Sequence, residues 1–528
     1  MNEAGETSLK LPMGWELTTY EQIGKWSGGG TPSKKIDSYW SGGDIPWISP
    51  KDMKSLRIYD SEDKISHLAI QESPAKLISS DSLLFVVRSG IIRRVLPVAI
   101  TKIDAAINQD LKALTPSKWV FEEYLLFHAL AFNEEIRRFC AKDGTTVESI
   151  EFSALKAYPV PLAPLLEQHR IVARIEELFS HLDAGVESLH KAKAQLRRYR
   201  QAVLKAAVEG KLTEEWRKAH LEVEPAEKLL KRILYDNRAK WEMEELAKQI
   251  LKGQRPKNDK WKQRYEEPAV SDTETSMRLP DCWVWATVEQ LASPEPRSIQ
   301  SGPFGSALHH SEFQDSGVLA IGIDNVLEGR FSTGRQHRIS LEKFEQLKKF
   351  SARPLDVLVT VMATVGRCCV VPANFEEAII TKHVYRISVN QRIINPYFLM
   401  NCIRGGSEIR KQISAKIRGQ TRPGINGTIL KQIAIPVPPL IEQSEIVSEI
   451  ERSLSIVDHI EDTVNLDLKR IDSLRQSILK LAFEGRLVPQ DPSDEPASML
   501  LERIKAEKTE EFPRKARKNH THQMSLIQ

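Results

Sequence analysis

The sequence of 528 residues lacks long hydrophobic runs. Its longest apolar runs, such as Val357 to Val365, reach about half of the ~20 residues that a membrane-spanning helix needs, so no transmembrane segment is predicted. The amino terminus reads MNEAGETSLKLPMGW and has no basic stretch followed by an apolar core, which argues against a secretory signal peptide. We therefore expect a cytoplasmic protein.

The sequence also lacks a strong charge of one sign. The 75 basic and 71 acidic residues leave a formal net charge of +4, so the charge balance by itself indicates no nucleic-acid partner. A hydrophobic fraction of 41% is sufficient for ordinary buried cores. At roughly 150 residues per domain, this length predicts three or four folded units.

The sequence lacks the spaced motifs that hold metals or carry out catalysis. The five cysteines, at positions 140, 282, 368, 369 and 402, form no C-x-x-C pair, and buried free thiols are the expected state. His309 and His310 are adjacent, and in a strand their side chains would point to opposite faces, so no metal site is predicted. No phosphate-binding G-x-x-x-x-G-K-[S/T] motif and no paired carboxylates at nuclease spacing occur. We predict no catalytic residue.

The sequence contains an internal repeat. Residues 200–212 read RQAVLKAAVEGKL and residues 475–487 read RQSILKLAFEGRL, with eight of thirteen positions identical at an offset of 275. The same offset aligns Leu166-Glu167-Gln168 with Ile441-Glu442-Gln443. Upstream, Leu11-Pro12-x-x-Trp15 recurs as Leu279-Pro280-x-x-Trp283. Each half therefore has a variable front of about 155 residues and a better matched back of about 45, which indicates two different tasks of one kind and one shared task.

The backs predict two long helices. Between Ile446 and Leu481, apolar residues recur on average every 3.5 residues, the period of a coiled-coil seam. The first back carries a looser version of this seam. Gly210 and Gly485 follow the two helices, as glycine does at left-handed caps. Each helix would be about 60 Å long, and its apolar stripe needs a partner. We predict that the two helices pack against each other in antiparallel orientation.

The fronts predict strand-rich domains. Short β-branched runs at 82–87, 99–101, 357–361 and 378–380 are bounded by turn residues, and each front has one helical stretch, at 121–139 and 396–414. The predicted fold class is α+β, with two strand-rich domains separated by long antiparallel helices in a pseudo-twofold tandem repeat. The predicted segments are 1–165 (first domain), 166–212 (first long helix), 213–278 (polar helical segment and linker), 279–440 (second domain), 441–487 (second long helix) and 488–528 (helix and basic tail).

The loops between these strands contain residues suited to DNA. Arg and Lys reach guanine O6 and N7, Gln and Asn bracket adenine, and Ser or Thr beside glycine approach phosphate. Between Leu279 and Ile441 we count 19 basic and 13 acidic residues, whereas Leu11 to Leu166 has 18 and 19, so only the second front is basic. The candidate DNA-binding residues are Thr31, Lys34, Lys35, Ser49, Lys51, Arg88, Arg93, Arg94, Lys142, Thr145 and Thr146 in the first front, and Ser301, Asn325, Thr364, Arg367, Lys416, Arg418, Gln420 and Arg422 in the second.

One fragment is similar to a catalytic signature. Asn395-Pro396-Tyr397-Phe398 resembles the Asn-Pro-Pro-Tyr motif of adenine methyltransferases. It lacks the second proline, and no glycine-rich cofactor loop follows a predicted strand. Tyr397 aligns with Tyr124 of the other half, at the start of the matching helical stretch. We interpret Asn395 as the start of a helix.

In order and in duplicate, these motifs resemble the DNA specificity subunit of type I restriction-modification enzymes. The resemblance rests on the LPxxW openings, the Pro-x-Pro exits at 159–161 and 436–438, the Glu-Gln pairs that follow and the EGKL and EGRL helix ends, and it covers Leu11 to about Lys508. It implies two target recognition domains that read the halves of a split, asymmetric DNA sequence, with the helices fixing the gap.

The resemblance further implies a non-catalytic chain that binds double-stranded DNA within a complex. Its partners would be two modification subunits, which methylate adenine using S-adenosylmethionine, and two restriction subunits, motor-nucleases that use ATP and magnesium. No cofactor or metal is then expected on this chain. Two alternatives remain open at this point: a solitary adenine methyltransferase with a degenerate motif at Asn395, and a coiled-coil scaffold that does not bind DNA.

Overall fold

The computed structural model describes residues 11–142, 148–254, 256, 258–271, 277–334, 336–362, 365–417 and 424–509. The chain divides into two compact units. Unit 1 comprises residues 1–190 and 465–528, and unit 2 comprises residues 191–464. Each unit thus contains one front together with helical segments from both backs. Within the described ranges, no helix is both long enough and apolar enough to span a membrane.

The α-helices are α1 His67–Glu72, α2 Glu122–Ala131, α3 Asn133–Phe139, α4 Phe152–Ala157, α5 Leu165–Val208, α6 Glu214–Ala219, α7 Ala226–Leu251, α8 Val288–Leu291, α9 Leu341–Leu347, α10 Pro396–Gly405, α11 Ser407–Ile417, α12 Gly427–Lys431 and α13 Leu440–Phe483. A further helix, α14, occupies residues 497–509. The two long helices α5 and α13 each have 44 residues, which corresponds to about 66 Å at 1.5 Å per residue.

The strands of the first front are β1 Glu16–Thr19, β2 Gly24–Gly28, β3 Ile45–Ile48, β4 Arg57–Ile58, β5 Asp63–Ile65, β6 Leu77–Ile78, β7 Ser82–Val86, β8 Val98–Thr101, β9 Ala105–Ile107, β10 Leu111–Pro116, β11 Ala141–Lys142, β12 Ser149–Ile150 and β13 Pro159–Leu162. Those of the second front are β14 Val284–Thr287, β15 Ile299–Ser301, β16 Val318–Ile321, β17 Val326–Leu327, β18 Arg330–Phe331, β19 His337–Ile339, β20 Ser351–Ala352, β21 Val357–Thr360, β22 Cys368–Val370, β23 Ala378–Ile380, β24 Val384–Ile387 and β25 Ala434–Val437.

The two fronts have similar sheet topologies, except that the first sheet of the first front has a fifth strand, β4, which pairs in parallel with β8. In the first, one sheet has the order β2-β10-β7-β8-β4 and another the order β5-β3-β9-β6; in the second, the corresponding orders are β15-β24-β21-β22 and β19-β16-β23-β20. A short antiparallel pair joins the start of each front to its exit, β1 with β13 and β14 with β25. In each front, the other large sheet, which has four strands, contains one parallel pair: β3 with β9 in the first front, and β16 with β23 in the second. The α+β fold class and the tandem repeat are confirmed.

The antiparallel packing of the long helices is also confirmed, separately in each unit. In unit 1, Asp183 of α5 pairs with Arg475 of α13, and in unit 2, Arg200 of α5 pairs with Asp458 of α13. Arg475 and Asp458 lie 275 positions after Arg200 and Asp183. The repeat therefore forms the same interhelical ion pair twice. The predicted seam is only partly covered, since Ile460 is still 42% exposed.

Each front is anchored to the start of a long helix by the residues that the repeat identified. Trp15 Nε1 donates to Glu167 Oε2 over 3.1 Å in unit 1, and Trp283 Nε1 donates to Glu442 Oε2 over 3.0 Å in unit 2. Both carboxylates lie in the first turn of a helix, where the helix dipole favours negative charge.

The opening of each front also contacts the end of the other half's long helix. Gly485 follows α13 with φ +67°, and a Cβ placed on it would lie 2.2 Å from Cγ of Pro12. Gly210 follows α5 with φ +71°, and its Cβ would lie 2.8 Å from Cγ of Pro280. Both positions require glycine, because the backbone is left-handed and the space is filled. Each unit is thus built from both halves of the sequence.

One prediction about the fronts was wrong in detail. The stretches 121–139 and 396–414 are not single helices: the first breaks at Phe132 between α2 and α3, and the second breaks at Gly406 between α10 and α11. At Gly405 a Cβ would lie 2.3 Å from Cβ of Leu204 in α5. The end of α10 thus packs closely against a long helix where the helical stretch breaks. This contact is tertiary, so the apolar periodicity of the sequence did not reveal the break.

Candidate nucleic-acid interface

Polar residues follow the parallel strands at one sheet edge in the first front. Ser49-Pro50-Lys51 comes directly after β3, and Asn108-Gln109-Asp110 comes directly after β9. Because β3 and β9 are parallel, their carboxyl ends lie at the same edge of the sheet. Residues after the carboxyl ends of parallel strands are brought together there, as at the ligand sites of α/β sheets. We call the edge formed by residues 49–51 and 108–110 edge 1.

A glycine-rich loop crosses edge 1. A Cβ on Gly29 would lie 2.0 Å from the carbonyl oxygen of Asn108, and the amide of Gly30 donates to the carbonyl of Ile107 over 2.9 Å. The loop is held against the end of β9 because Gly29 has no side chain. It brings Thr31 beside Gln109, and the Thr31 hydroxyl donates to the Gln109 side-chain oxygen.

Two exposed lysines extend the same loop. The ammonium group of Lys34 lies 6.0 Å from the ring centroid of Trp40, and Lys35 is exposed. Both cations are available to a phosphate backbone.

A second group of predicted residues adjoins edge 1. The amide of Val87, the residue after β7, donates to the carbonyl of Asp110 over 2.8 Å, and the amide of Ile150 donates to the carbonyl of Val87 over 2.8 Å. Arg88 follows Val87 and is exposed, as are Arg93, Arg94 and Lys142. The structure therefore gathers most of the predicted basic residues of the first front around adjoining chain segments.

Ion pairs reduce the free charge of this group. Lys51 pairs with Asp63 over 2.8 Å, and its hydrogen bond to that carboxylate raises the pKa of the lysine. Arg93 pairs with Glu148 over 3.0 Å, and Lys142 lies 3.8 Å from a carboxylate oxygen of Glu151. Acidic neighbours therefore offset part of the positive charge, in agreement with the nearly equal numbers of basic and acidic residues in the first front.

The second front has the same arrangement, which we call edge 2, formed by residues 322–325 after β16 and 381–383 after β23. A Cβ on Gly302 would lie 2.3 Å from the carbonyl oxygen of Ile380, so this loop too is held against the end of a strand. The amide of Val361 donates to the carbonyl of His383 over 3.1 Å, and the amide of Ile425 donates to that of Val361 over 3.2 Å. These bonds match those of Val87 in the first front.

Two predicted side chains are engaged inside the fold. Ser49 is 6% exposed, and its backbone amide and hydroxyl both donate to Asp52 Oδ2 over 2.9 Å. Asn325 is 2% exposed; its side chain accepts from the Gly322 amide and donates to the carbonyl of Ser332, each over 2.9 Å. Both side chains stabilise turns. Side chains this buried and bonded do not reach a base edge without unfolding the turn.

The remaining predicted residues of the second front differ in exposure. Arg367 is exposed just before β22, Ser301 is partly exposed in β15, and Lys416 donates from Nζ to Gln432 over 2.8 Å. Thr145, Thr146, Thr364, Arg418, Gln420 and Arg422 lie outside the described residues. DNA contact by the predicted residues therefore stays a prediction.

The candidate residues predicted from the sequence do not include two exposed residues on these edges. Gln109 on edge 1 is the second residue after β9, and Lys382 on edge 2 is the second residue after β23. A signal for them exists in the sequence: an offset of 273 aligns Ala106-Ile107-Asn108-Gln109 with Ile379-Ile380-Thr381-Lys382. The similarity is too low to be recognised without the strands.

Asn395 is the start of a helix, as predicted. Its side-chain oxygen accepts from the amides of Tyr397 over 2.9 Å and Phe398 over 3.4 Å, and Pro396 occupies the first helical position. This is a standard N-cap. Among the described residues, no group of three or more His, Cys, Asp or Glu side chains is placed to hold a metal ion.

Comparison with known proteins identifies relatives of both fronts. The profile of the type I restriction modification DNA specificity domain matches residues 12–195 and 313–470. The specificity subunit of the type I restriction enzyme EcoR124I/EcoR124II from Escherichia coli is 39% identical over 174 residues. The matched stretch spans 33% of this chain and 43% of that subunit, less than half of either. The EcoKI specificity subunit from Escherichia coli K12 is 23% identical over 96% of this chain and 98% of its own length.

A solved structure supports the fold. A chain from a study of complex assembly and conformational transition of the type I R-M system superposes with a TM-score of 0.61 over 90% of this chain and 99% of that one, at 16% identity. The family profile covers well over half of the sequence and falls on both fronts and both long helices. The chain therefore belongs to the family of type I restriction-modification DNA specificity subunits.

Proposed function

We propose that this chain reads a split, asymmetric double-stranded DNA target, with edge 1 contacting one half-site and edge 2 the other. The observation that carries the proposal is the repetition of one scaffold with different side chains. Apart from the extra strand β4 in the first front, both fronts have matching sheet orders and a glycine-held loop at the same place, whereas their exposed residues differ. A scaffold that repeats while its surface changes suits two readers of two unlike sequences.

The proposal assigns chemistry to partner subunits. Two modification subunits would methylate adenine with S-adenosylmethionine, and two restriction subunits would translocate and cleave DNA with ATP and magnesium. This chain would bind none of these cofactors itself. The family membership supports this division, since its members are specificity subunits.

The two alternatives lose their support. A solitary methyltransferase would need Asn395 for its substrate, yet that side chain caps α10. A scaffold without DNA contact is disfavoured by the family membership, since the matching profile is that of a DNA specificity domain.

The test is exchange of the first front. In a complex with its modification subunits, residues 11–161 are replaced by the front of a second specificity subunit, and the methylated sequences of the host genome are determined. We expect one half-site to change while the other half-site stays. A change of both half-sites, or of neither, would contradict the proposal.

The helices give a second readout. Insertion of seven residues into α13, between Ile446 and Leu481, adds about 10 Å of helix. We expect a changed spacer between unchanged half-sites. An unchanged methylated sequence would show that the long helices do not set the spacing.

A further inference from the structure

Gln109 and Lys382 occupy equivalent positions in the two fronts, and the backbone on both sides of each is fixed. The residue before Gln109 donates from its amide to the carbonyl of Ile48, and the residue before Lys382 donates to that of Ile321, over 3.0 and 2.9 Å. The residue after each accepts a bond from Val87 or Val361, as described above. The two side chains are exposed on a rigid main chain.

The loop opposite each residue is also fixed. Gly29 and Gly302 leave no room for a Cβ, so each loop packs directly against the main chain at its strand end. On edge 1, the hydroxyl of Thr31 donates to the side-chain oxygen of Gln109 and orients the amide. That oxygen has a second lone pair, and the amide nitrogen carries two protons, so the group can still accept from and donate to a base.

The two side chains differ in the chemistry that they offer to DNA. A glutamine amide pairs with the N6 and N7 positions of adenine, whereas a lysine ammonium reaches O6 and N7 of guanine or a phosphate oxygen. Because the backbone at both positions is already fixed, binding must order the side chain alone, which favours these contacts over contacts from a mobile loop. The same position thus has an adenine-type group in one front and a guanine-type or phosphate-type group in the other.

We propose that Gln109 and Lys382 are paired specificity residues, each contacting the half-site read by its own front. This inference rests on the proposed function, and it goes further by assigning one contact in each domain to a defined residue. In this arrangement the basic residues predicted from the sequence position the DNA, and Gln109 and Lys382 contact bases.

The experiment uses the full chain assembled with its modification subunits. The target is first taken from the methylated sequences of a host that carries the wild-type genes. Methylation kcat/KM is then measured for Gln109→Ala and Lys382→Ala on the target duplex and on duplexes with each half-site base pair replaced in turn. Gln22→Ala and Lys411→Ala are the matched controls. Both residues are exposed in the same fronts: Gln22 precedes β2, at the opposite end of that strand from Gly29, and Lys411 lies in α11.

We expect each variant to lose roughly 5- to 150-fold in kcat/KM on the target, the range of one good base contact. For Gln109→Ala, discrimination should relax at one base pair of a single half-site. For Lys382→Ala, it should relax in the other half-site. A uniform loss on all duplexes, with a salt slope of binding lower by about 1, would show a phosphate contact and overturn the specificity role of Lys382. Thermal unfolding of both variants should match that of the controls, because neither side chain is buried.

Unaltered discrimination in both variants, with a wild-type complex that still reads a split target, would overturn this inference and leave the proposed function standing. Relaxation in the same half-site by both variants would also overturn it. A wild-type complex that methylates DNA without regard to sequence would instead refute the proposed function.

Discussion

The anchors of the two recognition domains look alike but balance their buried charge differently. In unit 2, Glu442 accepts from Trp283, from the Thr213 hydroxyl over 2.7 Å and from Arg217 over 2.5 Å. In unit 1, Glu167 accepts from Trp15 through one oxygen, and its other oxygen has no partner among the described residues.

The neighbouring residues explain this difference. The sequence after EGKL supplies Thr213 and Arg217, whereas the sequence after EGRL supplies Asp494, which pairs with Arg170 over 2.6 Å rather than with the buried carboxylate. Burial accordingly raises the pKa of Glu167. The comparison shows that a repeated tryptophan–glutamate bond fixes the geometry of the anchor, while the surrounding residues decide whether its charge is stabilised.

The largest expected effect comes from removing the better balanced charge. Glu442→Gln leaves Arg217, whose side chain is 17% exposed, without its carboxylate. Breaking a buried ion pair from one side costs about 3 kcal/mol. The matched change Glu167→Gln keeps an acceptor for Trp15 and removes an incompletely paired charge, so it should cost less than about 1 kcal/mol. Denaturant unfolding, localised by hydrogen-exchange mass spectrometry, measures both; equal costs in the two units would break the comparison.

The glycines after the long helices should rank next. Gly485→Ala forces a left-handed alanine, at about 1–2 kcal/mol, and places a Cβ 2.2 Å from Pro12, so we expect a loss of about 2–3 kcal/mol. Gly210→Ala, with 2.8 Å to Pro280, should lose less. Gly185→Ala is the control: it lies within α5 and meets only Ile471 at 4.0 Å, so it should stabilise the helix by about 0.5–1 kcal/mol. Thermal unfolding of the three variants tests the order.

The pH dependence of unit 1 gives a smaller effect. Because the pKa of Glu167 is raised in the folded state, the folded chain binds more protons than the unfolded chain between the ordinary carboxyl pKa and the folded pKa. Stability contributed at this site is therefore lost as the pH rises through that window. Glu167→Gln should therefore cost less stability relative to wild type at pH 7 than near pH 4. A constant difference across that range in paired unfolding curves would refute the raised pKa.

The smallest effects are expected at the interhelical ion pairs. Asp183 and Asp458 are 67% and 62% exposed, and such surface pairs contribute about 0–1 kcal/mol. Asp183→Asn should cost slightly more than Asp458→Asn, because Arg200 also lies 3.6 Å from Glu461 and keeps a carboxylate neighbour. Both effects should shrink in about 1 M salt. A loss above about 2 kcal/mol from either change would show that these pairs hold the helices together.

Features with a short sequence period were predictable. The seam in Ile446 to Leu481 and the glycines at 210 and 485 identified both long helices, and the helix observed in the second half is Leu440–Phe483. Asn395 was recognisable as a helix start because N-capping depends on neighbouring residues alone. The candidate interface was predictable only in part: Lys34 and Arg88 are exposed near edge 1, whereas Ser49 and Asn325 proved to be buried in turns.

The sequence by itself determined the doubled plan, the two long helices and the family, because a repeat and a heptad period are local patterns that survive without knowledge of contacts. Only the tertiary structure decided that β9 and β23 each pair in parallel with a distant strand, which places Gln109 and Lys382 at equivalent edges. It also decided that Glu442 pairs with Arg217, whereas one carboxylate oxygen of Glu167 has no hydrogen-bond partner among the described residues. These outcomes depend on residues far apart in the chain, and whether a polar group is buried, paired or exposed is set by the segment that packs against it.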